Sequence, residues 1–284
     1  MKDKKRIIGL GDNVVDCYVN LGMMYPGGDA LNVSVFAKQL GCDAAFLGVF
    51  GKDEKGAFIK SVLSELRIDC KRCREYEGEN GFSRVKVENG ERTFLGSNKG
   101  GVTHEYPIVL DDNDLKYLMT FDLVHSSIYS YISQELPKIK AQGTPISFDF
   151  SHRWSEEAFR LYCPNVDFGF LSCGKNTEEE AKSAIKMAVD LGCKIAVATM
   201  GEHGQILFDG RDYFFHEAIQ ITPRDTMGAG DAFISAFMVS FLKKNKFSPD
   251  VYNECLAYAT QFATNNCFVD GSFGRGKPME VKDE

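Results

Sequence analysis

Short runs that are apolar at nearly every position alternate along this chain with stretches whose apolar residues recur every three to four positions. RIIGLG (6–11), AAFLGVFG (44–51), DLVHSS (122–127), PISFDF (145–150), DFGFLS (167–172) and KIAVATMG (194–201) read as strands. DALNVSVFAKQLG (29–41), EKGAFIKSVLSEL (54–66) and residues 134–141, 155–163 and 177–191 read as helices. The first of these is expected to start at an Asp29 N-cap and stop at Gly41. Strands buried on both sides and alternating with helices predict an α/β fold, a mostly parallel central sheet with helices on both faces.

Two passages interrupt the alternation. FSRVKVENGERTFLG (82–96) carries Asn89-Gly90 between alternating segments, a hairpin signal. DCYVNLGMMYPGG (16–28) is a second excursion between a strand and a helix. Together they predict a small β lid built from about 13–26 and 80–101. GQILFDGRDYFFHEA (204–218), with its turn at Asp209-Gly210, is a further hairpin late in the main sheet. No repeat, low-complexity tract or long linker divides the chain, so residues 1–284 are expected to form one domain carrying this lid.

Charge and cysteine content narrow the setting. A net charge of −7, with no basic run beyond KDKKR at the start, argues against nucleic acid and anionic membranes as partners. No apolar stretch is long enough to span a bilayer and the start lacks a secretory apolar segment, so a cytoplasmic location is expected. The nine cysteines are scattered. Cys70 and Cys73 have C-x-x-C spacing, but no second pair or nearby histidine completes a zinc site, and reduced thiols are the expectation.

The densest chemistry lies in DTMGAGDAF (225–233), which runs into the apolar AFISAFMVSFL. Gly228, Ala229 and Gly230 ahead of a helix free backbone N–H groups at its positive end, a place that suits a phosphate-sized anion. Asp231 at that place is a candidate base for a hydroxyl in phosphoryl transfer, with a simple N-cap as the plainer reading. No G-x-x-x-x-G-K-[ST] pattern occurs, so a P-loop enzyme is not expected.

DTMGAGD resembles the C-terminal signature of the ribokinase-like (PfkB) family of carbohydrate kinases at every fixed position. YPGGDALNVSVFAKQLG (25–41) is similar to the family's N-terminal signature, TMGEHG (199–204) to its T-x-G-x-x-G turn, and NTEEE (176–180) to its N-x-x-E element. The resemblance implies ATP as phosphoryl donor, with Asp231 as base and the N–H groups of Gly228, Ala229 and Gly230 holding developing charge. It implies that Thr199, Gly201 and Gly204 line the ATP site, that Asn176 and Glu179 act through magnesium and its water, and that Asp225 anchors the turn beside the nucleotide. In many relatives this loop also neighbours a monovalent cation, so potassium enters as a further expected ion. Sugar hydroxyls would be held by Asp16, Gly28 and Asn32. Residue chemistry alone leaves Asp12 as good a sugar ligand as Asp16, and Arg92 is carried as a residue closing over the substrate against the plainer reading of a solvated hairpin charge. Relatives often pair through the lid, so a homodimer by that route is expected.

The family does not settle the sugar. GLGDNVVDCY, SFDFSHRW (147–154) and LVHSSIY (123–129) resemble the bacterial fructoselysine 6-kinase branch. GKNTEEE departs from that branch by keeping an asparagine, and the C-terminal stretch DGSFGRGKPMEVKDE runs past the usual end. The expected activity is phosphorylation of a primary hydroxyl on a sugar or glycated amine, fructoselysine first among them. A fructokinase or nucleoside kinase is the alternative within the family, and a sensor that has lost turnover is the alternative outside enzymes.

Overall fold

All six apolar runs become strands in the computed structural model, which describes residues 4–88 and 91–279. β1 (Arg6–Gly11) leads through β2 (Val14–Tyr18) and β3 (Met23–Gly27) into helix α1 (Asp29–Gln39). β4 (Asp43–Gly51), α2 (Glu54–Glu65), β5 (Arg74–Tyr76), β6 (Phe82–Glu88) and β7 (Glu91–Ser97) follow. After α3 (Val102–Glu105) and α4 (Asp112–Leu118) the chain alternates β8 (Leu123–Ser127), α5 (Leu136–Ala141), β9 (Ile146–Asp149) and α6 (Glu156–Tyr162). It continues through β10 (Phe168–Ser172), α7 (Glu178–Asp190), β11 (Ile195–Thr199), β12 (Gln205–Phe208) and β13 (Tyr213–His216). α8 (Ala229–Lys244), α9 (Pro249–Asn266) and the two-residue β14 (Lys277–Pro278) complete it.

The nine-stranded main sheet has the order β13-β12-β11-β10-β9-β8-β1-β4-β5 and is parallel from β5 to β11, with β12 and β13 antiparallel at one edge. From β1 the chain first moves to β4 on one side and later returns to β8 on the other. The strand order therefore reverses between β1 and β8, where the carboxyl ends of strands leave a crevice. Alternation along β9 shows how the faces divide: Ile146 and Phe148 join the core with α5, α6 and α7, while Ser147 and Asp149 point away from it. The opposite face is covered by α1, α8 and α9.

Two features set the active end. A Cβ on Gly9 would lie 1.9 Å from the Ala30 carbonyl oxygen, so glycine lets α1 sit directly on β1, and the Ser34 hydroxyl accepts from Gly9 N–H. α8 is apolar on nearly every face because it is enclosed by the sheet, α1 and α9; Phe233, Phe237 and Phe241 are all buried along it. Burial of such side chains contributes about 1.5–3 kcal/mol each, which anchors the helix start rigidly. Helix α1 is capped by Gly28 and not by Asp29, which is already its first helical residue. α8 likewise begins at Ala229 with Gly228 as N-cap, so two of the three small residues lie inside the first turn.

A second sheet of five strands, β14-β3-β2-β6-β7, pairs β2 with β6 in parallel and its other neighbours antiparallel. Tyr18, Tyr25 and Val85 of this sheet pack around Met227, the residue before Gly228. The Asn89-Gly90 turn lies outside the described residues. Periodicity did not anticipate β5, α4, α9 or β14, whose sequences are short or mixed in polarity.

Candidate active site

Asp12 follows β1, Ser127 and Asp149 end β8 and β9, and Thr199 ends β11, so the strand termini converge on the starts of α1 and α8. The approach to α8 explains its small residues individually. Gly228 has φ 71°, and a Cβ there would meet the Ser272 Cα at 2.8 Å, so both conformation and packing require glycine. A Cβ on Gly230 would meet no protein atom within 4 Å; Gly230 borders open cavity. Among the described residues, the N–H groups of Gly228, Gly230 and Asp231 find no protein acceptor, whereas Ala229 N–H donates to the Thr226 carbonyl at 3.2 Å. The sequence reading gave all three small residues a donor role; the turn geometry leaves Ala229 as a lining residue, and Asp231 adds its own N–H at the positive helix end.

Asp231 is buried in the first turn of α8, and its Oδ2 accepts from Asn32 Nδ2 at 2.7 Å. Asn32 also donates to Ser272 Oγ at 3.0 Å, while its own carbonyl oxygen is buried without a partner. Carboxylate oxygens of Asp29, Asp149 and Asp231 lie within 4.8 Å of one another. Burial, reinforced by the neighbouring carboxylates, pushes Asp29 and Asp231 well above the ordinary carboxylate range, and burial raises Asp149 to about 7. Neither Asp29 nor Asp149 was singled out from sequence. Their signal was position: a carboxylate ending a buried parallel strand, and one opening the helix over it, both point into the crevice.

The five-stranded sheet, standing where the lid was expected, brings Asp16 within electrostatic reach of this cluster. Asp16 is buried, accepts no hydrogen bond from a described residue, and is raised by burial to about 7 despite the Arg92 guanidinium nearby. Glycine at position 27 makes room for it, since a Cβ there would lie 2.4 Å from Asp16 Oδ2. Asp12 differs. Its carboxylate accepts from Asp29 N–H, Ala30 N–H, Ser127 Oγ and Ser130 Oγ, and it therefore holds the start of α1 in place of the sugar expected there. Gly28, with φ 109°, would place a Cβ 2.7 Å from Asn13 Cα and serves this same junction. Arg92 reaches from β7 to Thr226 Oγ1 at 3.0 Å and to Met227 Sδ, with its Nε 3.8 Å from Asp225 Oδ1. Asp225 is buried beneath the loop, where Tyr18 Oη and the N–H groups of Met227 and Gly271 donate to it.

A cavity of about 400 Å³ runs from Thr199 and Gly201 past Thr226 to Ala229 and Gly230, with Ile219, Ile221 and Phe233 supplying apolar wall. Gly204 does not line it; at φ 88° a Cβ there would lie 2.2 Å from the His216 carbonyl oxygen, so its part is the hairpin turn. Asn176 borders a neighbouring cavity of about 310 Å³. Glu180, not Glu179, closes the capping box with Thr177 and approaches Asn176, leaving the Glu179 carboxylate exposed and without a partner among the described residues. Cys70 and Cys73 lie between α2 and β5; their thiols donate to the Ile68 and Phe46 carbonyl oxygens.

The carboxylate cluster makes a stability prediction. Asp149 ionises near 3.8 in an unfolded chain and near 7 here, so its neutral form favours folding below about pH 4, and that contribution is lost as pH rises through about 7. Asp149→Asn should therefore raise the melting temperature relative to wild type by a margin that grows between pH 4 and pH 8. Thermal scans across that range check it; a margin independent of pH would remove Asp149 from the cluster's electrostatics.

Comparisons with known proteins show the family and the fold. The pfkB family carbohydrate kinase profile matches residues 9–143 and 160–272. The chain is 35% identical over 279 residues to the fructosamine kinase FrlD of Bacillus subtilis, covering 98% of this chain and 96% of that one. It is 30% identical over 234 residues to the fructoselysine 6-kinase of Escherichia coli, covering 82% and 88%. Among solved structures, Arabidopsis thaliana ribokinase complexed with ribose and ATP superposes with a TM-score of 0.79 at 19% identity, covering 96% of each chain. That likeness identifies the fold as ribokinase-like.

Proposed function

The chain belongs to the pfkB family of carbohydrate kinases, phosphotransferases that act on a sugar hydroxyl, and from that membership we propose that it transfers the γ-phosphoryl group of ATP to the 6-hydroxyl of fructoselysine or a close glycated amine. The observation that carries the chemistry is the placement of Asp231. Its carboxylate stands at the start of α8, beside the unpaired N–H groups of Gly228 and Gly230 and within electrostatic reach of Asp16.

In this reading Asp231 accepts the proton of the attacking hydroxyl as the new O–P bond forms and the γ-phosphorus bond to ADP breaks. The Gly228 and Gly230 N–H groups and the helix start hold charge on the moving phosphoryl group without reorganising. Asn32 orients Asp231 and offers its unpaired carbonyl oxygen to a sugar hydroxyl, while Asp16 takes hydroxyl hydrogens from the lid side. Thr199 and Gly201 line the nucleotide's path. The oxygens of half-buried Asn176 and exposed Glu179 suit a hard cation approached through water. Magnesium, when bound, supplies neutralisation of the phosphate charge.

The charge of the pocket supports a glycated amine over a neutral ketose. Asp16, Asp29, Asp149 and Asp231 lie close enough to raise one another, while Arg92, near Asp16, binds the loop and Arg153 is held over the Tyr129 ring. A fructosamine carries a protonated secondary amine beside C1, a charge of the sign this pocket favours. Nine unpaired cysteines support a reducing, cytoplasmic setting, and no helix among the described residues is long and apolar enough to cross a membrane. A homodimer through the free edge of β7, where Phe94 is 61% exposed, belongs to the same proposal and predicts a two-chain mass in sedimentation velocity.

Steady-state phosphorylation of fructoselysine, other fructosamines, fructose, ribose and nucleosides tests the function. Fructosamines should have the highest kcat/KM; preference for free fructose or a nucleoside would sink the substrate assignment, and ATP turnover with none of them would favour a sensor.

A further inference from the structure

The resemblance to the family implies a monovalent cation beside the loop that precedes α8, and the donors present there do not fit one. An alkali ion is held by oxygens stripped of other partners, commonly backbone carbonyls. Among the described residues, six oxygens in and around the loop, including both of the Asp225 carboxylate, already accept from an N–H or O–H of the chain. Asp225 Oδ1 accepts from Met227 N–H at 2.9 Å, and Asp225 Oδ2 from Tyr18 Oη at 2.6 Å and Gly271 N–H at 2.8 Å. Thr226 Oγ1 accepts from Arg92 at 3.0 Å. The Met227 and Ser272 carbonyls, one on each side of the loop, both accept from the same Asn266 Nδ2, at 3.3 and 2.8 Å. The Cys267 carbonyl accepts from the N–H groups of Arg224 and Asp225.

Two of these donors sit where a cation would act. Asn266, the buried last residue of α9, bridges two facing carbonyls with one amide group. Arg92 brings a full positive charge to within 3.8 Å of the buried Asp225 carboxylate, which would otherwise lie unpaired in the interior. We infer that this kinase needs no monovalent cation: Arg92 and Asn266 do within the chain what a bound alkali ion would do at this loop.

The arrangement has a consequence for positioning. Arg92 and Tyr18 both belong to the lid sheet, so the charge that steadies the loop, and through it the donors at Gly228 and Gly230, arrives on the lid. Order in the phosphoryl-binding turn is thereby tied to lid contact and not to the ionic composition of the medium. Arg92 is a positioning residue in this account, acting on the reaction through Asp225 and Thr226.

The inference holds whichever sugar is used, and its first readout needs none. At constant ionic strength in potassium, sodium or tetramethylammonium chloride, the purified protein should melt at temperatures agreeing within about 1 °C. With any accepted sugar, turnover should agree within about twofold across the three salts. A potassium-specific rise of several degrees, or potassium activation of about tenfold, overturns it. Arg92→Met should lower kcat about tenfold or more with sugar KM nearly constant, and Arg92→Lys, which keeps the charge, should recover most of the loss. If Arg92→Met instead raises sugar KM with kcat intact, Arg92 is a sugar ligand and the inference fails. A failed substrate screen with salt-independent melting would reject the proposed substrate alone.

Discussion

Asp231→Asn should cut turnover about a thousandfold while leaving the sugar dissociation constant within about threefold of wild type. The amide keeps an oxygen to accept from Asn32 Nδ2, so the side chain stays in place, but it cannot take a proton from the attacking hydroxyl. The Gly228 and Gly230 donors remain, which is why residual turnover above the uncatalysed rate is expected. Removing a charge from the Asp29, Asp149 and Asp231 group also relieves repulsion, so the variant should fold at least as stably as wild type. Single-turnover kinetics and sugar binding by calorimetry separate these effects. A variant retaining more than about a tenth of wild-type kcat would mean that Asp231 is a helix-start residue and the base lies elsewhere.

The same electrostatics give the pH profile its direction. Burial and the Asp149 charge hold Asp231 above the ordinary carboxylate range, so it accepts protons more readily than an exposed aspartate. Wild-type kcat/KM should fall on the acid side as Asp231 becomes protonated, and Asp149→Asn should move that limb to lower pH.

The second large effect belongs to the lid. Asp16→Ala is expected to lower kcat/KM for the sugar about a hundredfold, the loss of roughly 3 kcal/mol in hydrogen bonds to a charged acceptor, with ATP KM little changed. The assignment rests on a contrast between two nearby aspartates. Asp12 is fully occupied by two backbone N–H groups and two serine hydroxyls, whereas Asp16 is buried and accepts nothing from the described chain. A buried carboxylate without donors destabilises the ligand-free fold, so Asp16→Ala should not lower the melting temperature. Loss of ATP affinity with sugar affinity intact would show that the sugar and nucleotide pockets are assigned the wrong way round.

These contrasts mark where sequence reasoning ran out. Asp12 and Asp16 are the same residue type four positions apart, and nothing local distinguishes them. The difference is that β1 ends against α1 and against the end of β8 and the turn after it, whose serines arrive from more than a hundred residues away. Gly228, Ala229 and Gly230 read alike as small residues, yet one N–H folds back onto Thr226 and the others do not. Arg92 reads as a solvated hairpin charge until the lid sheet carries it to Asp225.

Local patterning was sufficient for the six buried strands, for α1, α2, α7 and α8 and for the turn before α8, because apolar period, small-residue turns and helix starts are set by neighbours in the chain. It also carried the signatures that group this chain with the carbohydrate kinases, since DTMGAGD and YPGGDALN are contiguous. Partnership was a different matter. Which aspartate is free, which is occupied, and which carboxylates of β9, α1 and α8 come within 4.8 Å depend on strand order and helix packing. Burial then raises those carboxylates, and only the assembled interior can exclude the water that would otherwise hold them at their ordinary values.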